Sequence, residues 1–139
     1  MVVTIYSDGG SLNNPGQAAI GYVVSANGKK IQEESRAIGV ASNNVAEYTA
    51  LITALTYVKD CILPQYPQVD KIEAFADSLL MVNQLNGLFK VKNHNLKNLF
   101  HQIKILQEKM GVPVIYTHVI REKNQEADAL VKKALNQSV

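Results

Sequence analysis

Apolar residues come in short β-rich runs at the start of the chain and at helical spacings further along, and this change of period divides it in two. Residues 2–7 are β-branched and aromatic up to the turn signal Asp8-Gly9-Gly10, which predicts a first strand stopping there. After a turn at Asn13-Asn14-Pro15-Gly16, residues 18–25 read as a second strand. Asn27-Gly28 is a hairpin signal, and 29–38 alternates as a third strand. The three predict an antiparallel meander. Ser42 or Asn43 can then cap a helix on which Val45, Tyr48, Leu51, Ile52, Leu55 and Val58 share a face. Pro64 and Pro67 cannot continue it, so it ends near Cys61. Residues 71–76 predict a fourth strand, and 78–85 a brief helix stopped by Asn86-Gly87. A longer amphipathic helix runs from about 95 to 110, with Leu96, Leu99, Phe100, Ile103, Leu106 and Met110 inward and Gly111 as its stop. Residues 112–119 form a fifth strand and 123–135 a last helix, with Ala127, Leu130, Val131, Ala134 and Leu135 inward.

The order β-β-β-α-β-α-α-β-α joins a meander to strands reached through helices. It predicts an α/β fold with a mixed five-stranded sheet, its fourth and fifth strands parallel, flanked by helices. No linker or repeat interrupts residues 1–139, which are expected to form one domain. In such sheets a ligand lies beyond the carboxyl ends of the parallel strands. Asp8 and Asp77 end strands one and four, so they meet if those strands are parallel neighbours.

With 139 residues, 47% of them hydrophobic, the chain can bury a core and fold alone. Its single cysteine, Cys61, excludes an internal disulfide, and the N-terminus reads directly into a strand with no leader pattern. Both point to a soluble cytoplasmic protein. No apolar stretch approaches the roughly 20 residues that cross a bilayer, and no obligate protein partner is evident. The net charge of +2 argues weakly for a polyanionic partner. Its distribution says more, because Lys90, Lys92, Lys97, Lys104 and Lys109 face one acid, Glu108, between residues 87 and 109. That stretch is either a solvated helix face or a surface that tracks phosphates. His94, His101 and His118 lack the spacing of a zinc site, and no phosphate-cradling glycine motif occurs.

Four carboxylates, Asp8, Glu47, Asp77 and Asp128, each follow or open an apolar segment and so belong at the rim of a core. Gathered there they raise one another's pKa unless cations neutralise them. Oxygen ligands select hard ions such as Mg²⁺ or Mn²⁺, whose commonest service is phosphoryl chemistry. Glu47 and Asp128 also lie near first helical turns, where the helix dipole favours their ionised forms.

Five stretches in order carry a resemblance: Tyr6-Ser7-Asp8-Gly9-Gly10, Asn14-Pro15-Gly16, Ser42-Asn43-Asn44-Val45-Ala46-Glu47, Ala76-Asp77-Ser78, and Arg121-Glu122-Lys123-Asn124-Gln125-Glu126-Ala127-Asp128. Through them the chain resembles the type 1 ribonuclease H family along nearly its whole length. The resemblance implies an endonuclease that cuts the RNA strand of RNA/DNA hybrids, leaving 5′-phosphate and 3′-hydroxyl ends. It maps Asp8, Glu47, Asp77 and Asp128 onto a catalytic tetrad that holds two Mg²⁺ ions, with Mn²⁺ an alternative. Asp8 would bridge the ions, Glu47 and Asp77 would complete the nucleophile side, and Asp128 would serve the other ion.

The resemblance also implies substrate contacts. Asn14, Asn43 and Asn44 match positions that read the 2′-hydroxyl in the minor groove. The Gly9-Gly10 turn would admit nucleic acid close to the backbone. Ser42 would line a pocket for a DNA-strand phosphate, and Ser78 follows the strand-four aspartate. Asn43 and Asn14 also suit a helix cap and a turn. Two departures mark this as a compact form. It lacks the family's basic protrusion with tryptophans, for which Lys90 and Lys92 are the expected substitutes. It also lacks the histidine of the loop before the last aspartate, where Arg121 either contacts the scissile phosphate or pairs with Glu122 or Glu126. A DNA-cutting nuclease of the same fold and a hybrid-binding module are the alternative readings.

Overall fold

The computed structural model describes residues 1–138. Three long strands, β1 (Val2–Ser11), β2 (Gly16–Ala26) and β3 (Lys29–Ala41), form the meander. Helix α1 (Asn43–Tyr57) follows and runs into a π-helical turn at Val58–Ile62. Then come β4 (Lys71–Ala76), α2 (Leu79–Leu85), α3 (His94–Met110), β5 (Val114–His118), a 3-10 turn at Arg121–Lys123, and α4 (Gln125–Ser138). The sheet order is β3-β2-β1-β4-β5. β1 is antiparallel to β2 and parallel to β4, and β4 is parallel to β5. The mixed five-stranded α/β sheet is the one expected, and the β1–β4 pairing is what the convergence of Asp8 and Asp77 requires.

Local chemistry explains the boundaries. Asn27 and Gly28 both take positive φ, 50° and 83°, as the tight hairpin between β2 and β3 demands. Ser42, extended at φ −78° and ψ 163°, caps α1 by accepting from the Val45 N–H at 3.2 Å. Gly111 closes α3 at φ 70°. β5 is shorter than its apolar run suggested, beginning after Pro113, whose carbonyl accepts from Ile72 N–H.

The expectation that strand one stops at Asp8-Gly9-Gly10 is wrong. β1 continues through both glycines, pairing Gly9 with Ile20 and Gly10 with Ala19, and the chain reverses only at residues 12–15. These glycines serve close packing and not a turn. A Cβ on Gly9 would lie 2.3 Å from the backbone carbonyl of Ala46, so α1 rests directly on β1 at this point. Gly21 does the same for α4, whose Ala127 carbonyl would lie 2.5 Å from a Cβ there.

Side chains alternate across a strand, and Gly9 and Gly21 are one register apart, so α1 and α4 cover opposite faces. The larger core lies under α1 and α3, where Val3, Ile5, Leu51, Leu55, Ile72 and Ile103 are buried. Each such side chain contributes about 1.5–3 kcal/mol of burial. A smaller cluster, Ala19, Val131, Ala134 and Leu135, seats α4.

The segment between α2 and α3 is anchored from inside. Leu88 and Phe89 N–H both donate to the Asn83 carbonyl, at 2.8 and 3.2 Å. Buried Gln84 accepts from the Tyr48 hydroxyl at 2.7 Å and reaches the Lys90 carbonyl at 3.5 Å. Among the described residues no helix is long and apolar enough to cross a membrane.

Candidate active site

Ser7 and Ala76 are the last partners in the parallel β1–β4 register, so Asp8 and Asp77 leave the two strands side by side. Glu47, on the first turns of α1, comes to them because α1 sits against Gly9. The Gly9 N–H donates to Glu47 Oε1 at 2.9 Å. Asp8, Glu47 and Asp77 each offer a carboxylate oxygen within 4.8 Å of the others, and the group could hold a metal ion.

Asp8 is 6% exposed and Glu47 8%, which makes their charges costly. Burial first, then the charges of Asp77 and Asp128, push the Asp8 carboxyl up to about 7. Glu47 is held well above the usual carboxylate range by burial, then by Asp8 and Asp77, with the Gly9 N–H only partly offsetting them. Burial and the neighbouring carboxylates thus work against the helix dipole, which favours the ionised form of Glu47. A cation among the three reverses that balance, and an all-oxygen donor set suits a hard one.

Asp128 stands outside this group of three and is held differently. Lys132, one turn on along α4, lies 2.9 Å from its Oδ2, and Arg121 lies 3.8 Å from its Oδ1. Arg121 thus pairs with neither Glu122 nor Glu126. All four acids, with Arg121 and Lys132, line one open cleft of about 420 Å³. Lys132 escaped the sequence reading, although its i,i+4 spacing from Asp128 was legible.

The asparagines form a ladder beside the cleft. Asn14 Oδ1 accepts from the Asn43 N–H at 3.0 Å, and Asn43 Oδ1 accepts from the Ser11 N–H at 2.9 Å and its hydroxyl at 3.1 Å. Their carbonyl ends are thereby used. Among the described residues neither side-chain amide nitrogen has a partner, and both remain donors. Asn44 is exposed and lines a second hollow of about 710 Å³ with Asn14, Ser42, Asn93, Asn95 and Asn98. The starts of α1 and α3, capped by Ser42 and Asn93, both open onto it.

Other expected contacts are placed less directly. Gly10 lines the cleft with space beyond its backbone, and Gly9 lines it too, although its Cβ side is closed by Ala46. Ser78 accepts from the Met81 N–H at 3.2 Å as the cap of α2. Lys90, Lys92 and Lys97 are exposed. Lys104 instead lies over the Phe100 and Tyr116 rings and donates to the Leu85 carbonyl at 3.0 Å, so it belongs to the scaffold. His118 ends β5 exposed and not packed.

Asn124, which the motif comparison passed over, lies beneath the cleft. It is 1% exposed, and its amide nitrogen donates to the Ser7 carbonyl at 2.9 Å and to Asp77 Oδ2 at 3.1 Å. Sequence offered only the hint of a favoured cap residue just before a helix.

A family model described as reverse transcriptase-like matches residues 6–134. The chain is 39% identical over 135 residues to ribonuclease HI of Halobacterium salinarum, covering 96% of this chain and 64% of that protein. It is 37% identical over 140 residues to a bifunctional protein of Mycobacterium tuberculosis, covering 98% of this chain and 36% of that one. The chain therefore spans under two thirds of these curated relatives. Among solved structures it resembles LC11-RNase H1 in complex with an RNA/DNA hybrid, with a TM-score of 0.89, 39% identity and 98% of each chain covered. That protein was isolated from compost by a metagenomic approach.

Proposed function

Because the chain belongs to the reverse transcriptase-like family, in its type 1 ribonuclease H branch, we propose that it cuts the RNA strand of RNA/DNA hybrids in the cytoplasm, with Mg²⁺ as its cofactor. Residues 1–139 act as one ribonuclease H domain. The observation that carries the reading is the convergence of Asp8, Glu47 and Asp77 within 4.8 Å at the carboxyl ends of β1 and β4 and the start of α1. The likeness to a protein solved on a hybrid supports the choice of substrate.

Asp8, Glu47 and Asp77 would hold one ion, and Asp8 with Asp128 a second; Mn²⁺ would substitute. Bound there, paired ions supply an activated water and stabilise the leaving oxygen of an in-line displacement at phosphorus, leaving 5′-phosphate and 3′-hydroxyl ends. The chain's own residues position the strand. The free amide donors of Asn43, which lines the cleft, and of Asn14, which with exposed Asn44 lines the neighbouring hollow, suit a 2′-hydroxyl, the group that separates RNA from DNA. Ser42 and the two helix starts at the second hollow suit a phosphate of the DNA strand. Lys90 and Lys92 grip backbone phosphates, which position the duplex without reading its bases. Arg121, on the rim, reaches the phosphate being cut.

A gel assay tests this directly. One duplex sequence is made as RNA/DNA, RNA/RNA and DNA/DNA and incubated with Mg²⁺, Mn²⁺ or EDTA. Cleavage confined to the RNA strand of the hybrid, and lost in EDTA, is expected. Cutting of the DNA duplex would replace this reading with a DNA nuclease of the same fold, and binding without cutting would replace it with a hybrid-binding module.

A further inference from the structure

The geometry points to Asn124 as a positioning residue that sets the carboxylates of the cleft against one another; the inference rests on the metal-holding role proposed above. One buried side chain joins two of the elements that carry those acids. Its amide nitrogen lies between the Ser7 carbonyl, one residue before Asp8, and the Asp77 carboxylate. Both neighbours are acceptors, so the nitrogen must face them; turning the amide over would set oxygen against oxygen. Its own Oδ1 has no partner among the described residues, and its donor end alone fixes its orientation.

The backbone of the same residue reaches the fourth acid. The Asn124 carbonyl accepts from the Asp128 N–H at 3.1 Å and so starts α4. Its side chain takes no part in that cap, although asparagine is well suited to one. Capping therefore does not explain the amide, and tying Asp77 to β1 does. With two hydrogen bonds and one backbone contact, Asn124 fixes Asp77 beside Asp8 and roots the helix that carries Asp128. Asp77 then has one oxygen engaged by an uncharged donor and is oriented before any cation arrives. Such outer contacts hold a ligand carboxylate at the angle from which it binds.

Two variants test the role. Asn124→Ala removes the donor, and Asn124→Leu removes it while keeping the volume. Each is compared with wild type by calorimetric Mg²⁺ titration without nucleic acid, below the melting temperature, and by kcat and KM on a hybrid. Mg²⁺ affinity and kcat are expected to fall about 10- to 100-fold, with KM for the hybrid changed by less than about twofold. A folded variant that binds Mg²⁺ like wild type overturns the inference, whatever its melting temperature. If neither variant folds, nitrogen-15-labelled wild type decides. The Asn124 side-chain amide signals are expected to shift on adding Mg²⁺ and on Asp77→Ala substitution, and signals that stay put overturn the inference. Wild type that binds Mg²⁺ yet leaves hybrids intact counts against the proposed function only, because the affinity comparison needs no substrate.

Discussion

Asp8, Glu47 and Asp77 are placed by buried backbone: a parallel register, a glycine that admits a helix, and an N–H that meets a carboxylate. Asp128, in the same cleft, is placed by a helix turn that leaves its side chain 18% exposed, and is answered by two exposed cations, with Lys132 67% and Arg121 75% exposed. The first region concentrates negative charge that the protein leaves uncompensated. The second supplies its own counter-charge, in water, where such pairs are worth about 0–1 kcal/mol. The difference teaches that the three buried acids are where a metal ion could be held, while Asp128 already has an ammonium and a guanidinium beside it.

The sharpest way to break this contrast is Asp8→Asn. Hybrid cleavage in Mg²⁺ is expected to fall by more than about 10³-fold, at least the loss seen on removing a central electrostatic group. Retention of wild-type turnover in a gel assay would remove Asp8 from the centre. The same variant carries a pH signature. With Asp8 pushed up to about 7 from 3.8, the metal-free folded protein holds a proton that the unfolded chain releases. Stability is thus highest below the unfolded value and is lost as pH rises from about 4 to 7. Metal-free melting should fall over that window in wild type and fall less in Asp8→Asn, and Mg²⁺ should flatten the wild-type slope.

Asp128→Asn should cost less, about 10- to 100-fold in kcat, because the group of three survives; an effect as large as that of Asp8→Asn would erase the distinction between the two sides. Gly9→Ala probes the packing that brings Glu47 in. A Cβ 2.3 Å from the Ala46 carbonyl must move α1, which is expected to cost about 1–3 kcal/mol in denaturant melts and to weaken Mg²⁺ binding with it. Unchanged stability would show that α1 does not rest on this residue. The smallest effect belongs to Lys132→Ala. Without the competing ammonium, half-maximal activity should need less Mg²⁺, by at most about fivefold; a higher requirement would mean that Lys132 assists the site.

The acids were legible in sequence because each closes or opens an apolar element, and the topology that unites them followed from the order of strands and helices. What escaped notice depended on contacts between distant segments. Gly9 reads as turn chemistry until Ala46 is seen against it. Lys104 counts as one more surface lysine until two aromatic rings are found beneath it. Asn124 looks like an ordinary cap, since nothing within a few residues of it announces a bond to Asp77, 47 positions earlier. Helical periodicity reports which face is inward, and it carries no information on which polar atom waits there.

Gln84 joins the Tyr48 hydroxyl to the Lys90 carbonyl, and Tyr48 is the neighbour of Glu47. The lysine-bearing loop is therefore geared to the same helix that carries Glu47. If Lys90 and Lys92 hold phosphates as proposed, the loop would act as a fixed gauge and not a groping arm, its distance from the carboxylates set by these interior contacts. A longer appendage would add reach, whereas this arrangement would give up reach for a constant footprint on a bound duplex.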